Sequence, residues 1–295
     1  MDCINAIKTI FNMLLRKFFL VTMLCLVSQT AVAINTVGFY FADNKNATKM
    51  FDYAKHLFAN EFELVEYSAE MSETLPVIIH GYSSSIEFAK SGKDNPVIVI
   101  GVSSFQAKKL LKVKDCHTWL ILMDDASPQR IKALLGVLPK NNSIAPFSYS
   151  EHIQNWQAIL DKTYWMPAKP EEKTFNLIKR AAKESDSFIL VPNAMPISPS
   201  LANILFHYLY KQDVLTIGYS KWSFEAGAMI VSYADYTQSL LAARHYLVSQ
   251  PEWPSKAYVC LQNFQVNEHL IKKIAPSITN ELLNSMAYSL NMGCY

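Results

Sequence analysis

Three tripeptides of the form Gly-X-Ser carry the hydroxyls best placed for chemistry in this sequence: Gly81-Tyr82-Ser83, Gly101-Val102-Ser103 and Gly218-Tyr219-Ser220. Each follows an apolar run that begins with Val, at Val77, Val97 and Val214, and each precedes a helix-like stretch. The glycine permits a tight turn, and the serine suits the cap of the following helix. Hydroxyls and amides at helix starts hold carboxylates, so the chemistry on offer is ligand binding. Plain capping competes with that reading for any one serine. Three together at the carboxyl ends of strands, where open α/β sheets take their ligands, mark candidate ligand-facing loops.

Bond-breaking chemistry finds little support. Gly81-Tyr82-Ser83-Ser84-Ser85 and Gly101-Val102-Ser103-Ser104-Phe105 both lack the closing glycine of a nucleophile elbow. The seven histidines are scattered without a His-X-X-X-His pair, and no Cys-X-X-Cys occurs, so no metal site is indicated. Cys116 and His117 are neighbours, and on a strand they point to opposite faces and form no dyad. With eight glycines in all, the chain has no phosphate-cradling loop and no cofactor motif. The reading is a binding protein, not an enzyme.

The first 33 residues have the order of a secretory leader: basic Arg16-Lys17, an apolar core from Phe18 to Val27, and a small-residue exit at Ala31-Val32-Ala33. Cleavage is expected before Ile34, and the spacing also admits a start at Met13. The apolar core is too short to span a bilayer well. Leu24 before Cys25 argues against lipidation, which leaves export to the periplasm. Loss of the leader removes Lys8, Arg16, Lys17 and Asp2 and brings the formal charge from +2 to zero. A neutral chain without basic runs has no electrostatic footprint for nucleic acid. Cys116, Cys260 and Cys294 remain, enough for one disulfide, with Cys116 and Cys260 expected as small buried strand residues.

Strands are expected near 37–41, 62–67, 77–81, 97–101, 118–123, 142–147, 163–167, 187–192, 214–218, 228–233 and 257–262. Amphipathic helices are expected between them, including 46–60, 127–138, 151–160, 170–185, 199–212 and 235–250. Runs such as Val97-Ile98-Val99-Ile100, apolar on both faces, suit parallel strands covered by helices on each side. The alternation means an α/β protein with parallel sheets, and the irregular spacing suits two sheets better than one barrel.

From Asp186 onward the features become distinctive: Ser187-Phe188-Ile189-Leu190-Val191-Pro192-Asn193, then Val214 to Ser220, then Glu225-Ala226-Gly227-Ala228, then Ser232-Tyr233-Ala234-Asp235-Tyr236. This order resembles the substrate-binding proteins of ABC transporters in the type I periplasmic-binding fold, in the group of tryptophan- and tyrosine-binding proteins. Ser127 to Leu138 followed by Pro139 is similar to the helix that ends in Leu-Pro in that family. Where the family carries Leu-Gly-Arg after Asp-Tyr, this chain has Gln238-Ser239-Leu240.

The resemblance implies two Rossmann-like lobes joined by a three-crossing hinge that closes on a ligand. Crossings are expected near Asp124-Asp125, which reads as a solvated turn, near Ser232 to Asp235, and near Asn263. Lobe 1 would hold 34–124 and 235–262, and lobe 2 would hold 125–234 and 263–295. The cleft between them would be lined by Tyr40, Asp43, Tyr82, Ser83, Ser103, Ser104, Asn193, Tyr219, Ser220, Trp222, Tyr233 and Asp235. Serines and helix-start amides would hold a carboxylate, Asp43 or Asp235 an ammonium group, and Tyr or Trp an apolar body. An amino acid or similar solute satisfies all three. Asp235 reads equally as a helix cap, and Tyr40 and Tyr233 as half-buried aromatics. The implied partner of this monomer is the membrane permease of an ABC importer, or alternatively a membrane sensor on which the protein docks without transport.

Overall fold

The computed structural model describes residues 35–41, 47–113, 118–137, 144–147, 173–190, 199–249 and 253–292. The expected leader, Asp43, Asn193, Cys116-His117, the helix at 151–160, the strand at 163–167 and Cys294 lie outside the described residues.

Two sheets organise the chain. The first is built from β1 (Asn35–Tyr40), β2 (Phe62–Glu66), β3 (Val77–His80), β4 (Val97–Val102) and β5 (Trp119–Met123), and is completed late in the sequence by β10 (Lys256–Tyr258). Its order is β10-β5-β4-β3-β1-β2, and every pairing is parallel. The second holds β6 (Ile144–Phe147), β7 (Ser187–Leu190), β8 (Leu215–Gly218), β9 (Ile230–Tyr233) and β11 (Asn263–Val266), in the order β11-β9-β8-β7-β6.

The both-face apolarity of these strands has its cause in the packing. Residues alternate across a strand, and in the first sheet Phe39, Ile78, Ile98 and Leu120 face α1 (Ala47–Phe58) and α8 (Tyr236–Ser249). Their neighbours Ile79, Val99 and Ile121 join the opposite cluster with Phe88 of α2 (Tyr82–Lys90) and Leu110 of α3 (Ser104–Val113). The second sheet is covered likewise. Ile189, Leu215 and Ile230 meet Ile131 of α4 (Pro128–Val137), Ile271 of α9 (Glu268–Ile274) and Leu283 of α10 (Asn280–Asn291). Phe188 and Val231 meet Ile178 of α5 (Thr174–Glu184) and Phe206 of α6 (Pro199–Lys211). The short α7 (Lys221–Glu225) follows β8.

The chain passes between the sheets three times, after β5, after β9 and after β10. Polar bonds knit these passages into one node. The Ala234 amide donates to the Asp124 carbonyl at 2.7 Å, and Asp125 forms an isolated bridge with Tyr233. Gln262 donates from Nε2 to the Asp125 carbonyl at 2.9 Å and accepts from the Ser232 hydroxyl at 3.2 Å. Arg130 of α4, 5% exposed, donates to the carbonyls of Cys260 at 2.5 Å and Gln262 at 3.4 Å, and also to Asn291. Burial lowers the Arg130 guanidinium pKa to about 10.

Three expectations need correction. The strand expected at 257–262 ends at Tyr258, because 259–262 serve as the third passage. Beyond them β11 runs antiparallel to β9, an edge strand in an otherwise parallel sheet. Cys260 is not a buried strand residue: it sits exposed on that passage and is disulfide-bonded.

Candidate functional site

The carboxyl ends of β3, β4, β5 and β8 converge on a cavity of about 400 Å³, within the range of small-molecule sites. One wall is Tyr82 from the start of α2, with Ser103, Phe105, Gln106 and Lys109 from the start of α3. The facing wall is Tyr219, Ser220 and Trp222, from the end of β8 and α7. Asp124 and Asp125, just past β5, complete the lining. The cavity therefore has one wall from each sheet and a border at the first passage between them.

Local sequence explains how the walls are held. Ser103 and Gln106 form a reciprocal cap: the Ser103 amide donates to Gln106 Oε1 at 2.9 Å, and the Gln106 amide donates to Ser103 Oγ at 3.3 Å. Ser220 and Ser223 repeat the device at α7, with the Ser220 amide donating to Ser223 Oγ at 3.1 Å and the Ser223 amide to Ser220 Oγ at 3.4 Å. Upstream of Ser103, Gly101 has φ +72°, and the register of β4 against β5 shifts between Val99 and Val102. The left-handed backbone there is open to glycine at little cost. It turns the strand end toward α3.

Asp124 and Asp125 are not the solvated turn that the acidic pair suggested. Asp125 is 1% exposed, and Ser104 fills both its oxygens, the amide to Oδ1 at 2.6 Å and the hydroxyl to Oδ2 at 2.7 Å. Burial raises the Asp125 pKa to about 6 against the counter-effect of the Ser104 bonds. Burial, with Asp125 beside it, also holds Asp124 well above the ordinary carboxylate range. Tyr219 is pushed up to about 12, by burial first and the charge of Asp125 second. Its ring meets Trp222 edge-on at 5.8 Å. Lys109 places Nζ over the Phe105 ring, 4.4 Å from its centroid, a cation–π contact at the rim.

Of the residues proposed from sequence, Tyr82, Ser103, Tyr219, Ser220 and Trp222 come together around this cavity. The others that are described lie off it. Ser83 does not cap its helix: Gly81 occupies the cap position with no side-chain bond, α2 begins at Tyr82, and Ser83 is exposed within it. Ser104 is turned to Asp125. Tyr40 packs edge-on against Phe88, with centroids 5.4 Å apart. Tyr233 bridges the hinge, and Asp235 caps α8 in a reciprocal pair with Gln238, at 2.9 and 2.8 Å. Sequence reading missed Phe105, Gln106, Lys109 and the lining role of the two aspartates. A signal was present for the aspartates, since they end the apolar run Trp119–Met123 at a strand's carboxyl end.

Among the described residues, no group of three or more His, Cys, Asp or Glu could hold a metal ion, and no helix is long and apolar enough to cross a membrane. No protein-family model matches the chain, and no curated protein matches it in sequence. Solved structures do match in fold. An ABC domain in complex with L-Trp from Streptococcus pneumoniae aligns over 86% of this chain and 98% of its own, at 12% identity and TM-score 0.50. A conserved domain protein from Vibrio cholerae aligns over 86% and 97%, at 13% identity and TM-score 0.50. A substrate-binding protein with adhesive properties from Clostridium difficile, in its ligand-free, open form, aligns over 82% and 95%, at 14% identity and TM-score 0.57. The chain thus has the fold of the substrate-binding proteins of ABC transporters, the type I periplasmic-binding architecture.

Proposed function

We propose that this chain is an exported solute-binding protein that captures a small organic molecule in the cavity between its sheets. Segments 34–124 with 235–262 and 125–234 with 263–295 act as two lobes that close about the three passages. The cavity carries this reading. Its walls come from opposite sheets, it borders the hydrogen-bonded node that joins them, and hinge closure would bring Tyr82 and Ser103 toward Tyr219, Ser220 and Trp222. The fold likeness to substrate-binding proteins supports the same reading. In this scheme the leader is cleaved after Ala33, and the loaded protein acts as a monomer in the periplasm that delivers its solute to an ABC permease.

Calorimetry against a panel of amino acids, amines and organic acids, combined with small-angle scattering, tests the capture step. Saturable binding of one member with a fall in radius of gyration is expected; no binding and no compaction across the panel overturns it. Affinity capture from membranes tests the delivery step. Recovery of a permease is the expected outcome, whereas recovery of a sensor kinase or cyclase assigns the same cleft to signalling.

A further inference from the structure

The two walls of the cavity are chemically unequal, and the inequality bears on what they hold. At α3 and α7, several of the helix-start amides that would receive a carboxylate are already bonded within the protein. At α3 the Ser103 amide is taken by Gln106, the Ser104 amide by Asp125, and the Gln106 amide by Ser103. At α7 the amides of Ser220 and Ser223 are taken by each other's hydroxyls, and the helix is only five residues long. Of α2, Tyr82 alone reaches the lining.

The acidic side is the reverse. Asp125 spends both oxygens on Ser104, but Asp124 beside it has no cation within ion-pair distance among the described residues. Lys109, the basic residue of the lining, stands over Phe105 and forms no ion pair with either aspartate among the described residues. Tyr82, Tyr219 and Trp222 line the same cavity as Asp124. A carboxylate without a counter-ion at the edge of an aromatic-walled cavity is costly to keep ionised. Aromatic faces attract cations, and a desolvated carboxylate pairs with them strongly.

Resting on the solute-capture reading, we infer that the ligand is an organic cation, a protonated or quaternary amine on an apolar or aromatic body without a carboxylate. Asp124 is its counter-ion, and Tyr82, Tyr219 and Trp222 are its walls. The upward displacement of the Asp124 carboxyl agrees with a group that lacks its partner. This departs from the zwitterion that the sequence pattern suggests, because Ser103 and Ser220, two of the serines expected to hold the ligand's anionic group, are engaged in the protein's own caps.

Matched probes decide it. Calorimetry on the mature protein would compare tryptamine, tyramine and phenyltrimethylammonium with L-tryptophan and L-tyrosine, and with indole-3-acetate. At least one of the cations is expected to bind about tenfold or more tighter than the amino acids, with no binding of the acid. Asp124→Asn should remove that preference while the unliganded melting temperature stays level or rises, and Trp222→Ala should weaken the cations with Asp124 intact. Amino acids that bind as tightly as the amines, or an Asp124→Asn variant that keeps its amine affinity, overturn the cation assignment and leave solute capture standing. Failure of every probe overturns the assignment too, and solute capture falls with it only if no other solute in the wider panel binds or compacts the protein.

Discussion

The side-chain amide of Gln262 donates to the backbone carbonyl of Asp125 at 2.9 Å, so the third passage between the sheets holds the first at a residue that borders the cavity. Because Gln262 also accepts from Ser232 beside the second passage, one buried side chain, 0% exposed, ties all three. Gln262→Ala breaks both bonds and strands a buried carbonyl and a buried hydroxyl. A loss of about 2–3 kcal/mol is expected, read as a lower urea midpoint. An unchanged midpoint would mean that the backbone bonds at Asp124 and Asp125 suffice to join the sheets.

Arg130 makes a second, independent clasp on the same strap. Arg130→Met keeps much of the apolar stem but removes the Arg130 donor from the Cys260 carbonyl, while the Gln262 carbonyl keeps its bond from Asn291 Nδ2 at 3.1 Å. We expect about 2–4 kcal/mol of destabilisation. Loss of less than about 0.5 kcal/mol in denaturant unfolding would show that the guanidinium's desolvation already offsets its bonds.

Asp125 gives the fold a pH dependence of defined sign. Its folded pKa stands near 6 against an ordinary 3.8, so between these values the folded state holds more protons than the unfolded one. Stability from this group is therefore highest below about pH 4 and falls as pH rises toward 6, by about 3 kcal/mol in full. In Asp125→Asn the oxygen still accepts from the Ser104 amide and the new NH2 donates to the Ser104 hydroxyl. The wild-type-minus-variant stability difference should decline across that window, with Asp124 leaving a residual slope in the variant. A difference that stays flat from pH 4 to 7 contradicts the shift.

How far the sequence carried this picture depends on the range of the signal. Both-face apolar runs located β3, β4 and β5 because burial on two sides leaves no polar position to mislead the reading. The edge strand β11 escaped because Asn263-Phe264-Gln265-Val266 is short, alternates, and is separated from β10 by only four residues. Tyr82, Ser103 and Ser220 could be placed from strand ends alone. That Ser104 would be spent on Asp125, 21 residues away, and that Asp235 would serve its own helix with Gln238, depended on side-chain directions that no local pattern encodes. The acidic pair was misread because Asp-Asp usually means solvent. Here Asp125 is buried with both oxygens taken by Ser104, while Asp124, half-buried, lines the cavity.

Gly81 and Gly101 occupy equivalent places in two of the repeated motifs, yet their substitution should differ. Both have positive φ, +88° and +72°. A Cβ at Gly81 meets nothing within 4 Å, so Gly81→Ala bears only the backbone strain, about 1 kcal/mol. A Cβ at Gly101 would stand 2.7 Å from Nε2 of His80, whose ring is held edge-on against Tyr236 at 5.3 Å. Gly101→Ala should therefore cost about 2–3 kcal/mol. Equal melting temperatures for the two variants would show that His80 yields freely.

The serines of the three motifs can be separated by the same logic. Ser220 accepts from the Ser223 amide and lines the cavity, so Ser220→Ala removes a cap worth about 1 kcal/mol and alters a ligand-facing surface. Ser103→Ala acts alike at α3, where the Gln106 amide loses its acceptor. Ser83 is exposed inside α2 and caps nothing, so Ser83→Ala should change stability by less than about 0.5 kcal/mol and leave ligand affinity unchanged. Melting temperatures and binding constants on the three variants check the ordering. A Ser83→Ala variant that loses affinity as Ser220→Ala does would place the ligand against the start of α2, the motif helix whose cap position makes no side-chain bond, and would reopen that wall to an anionic group.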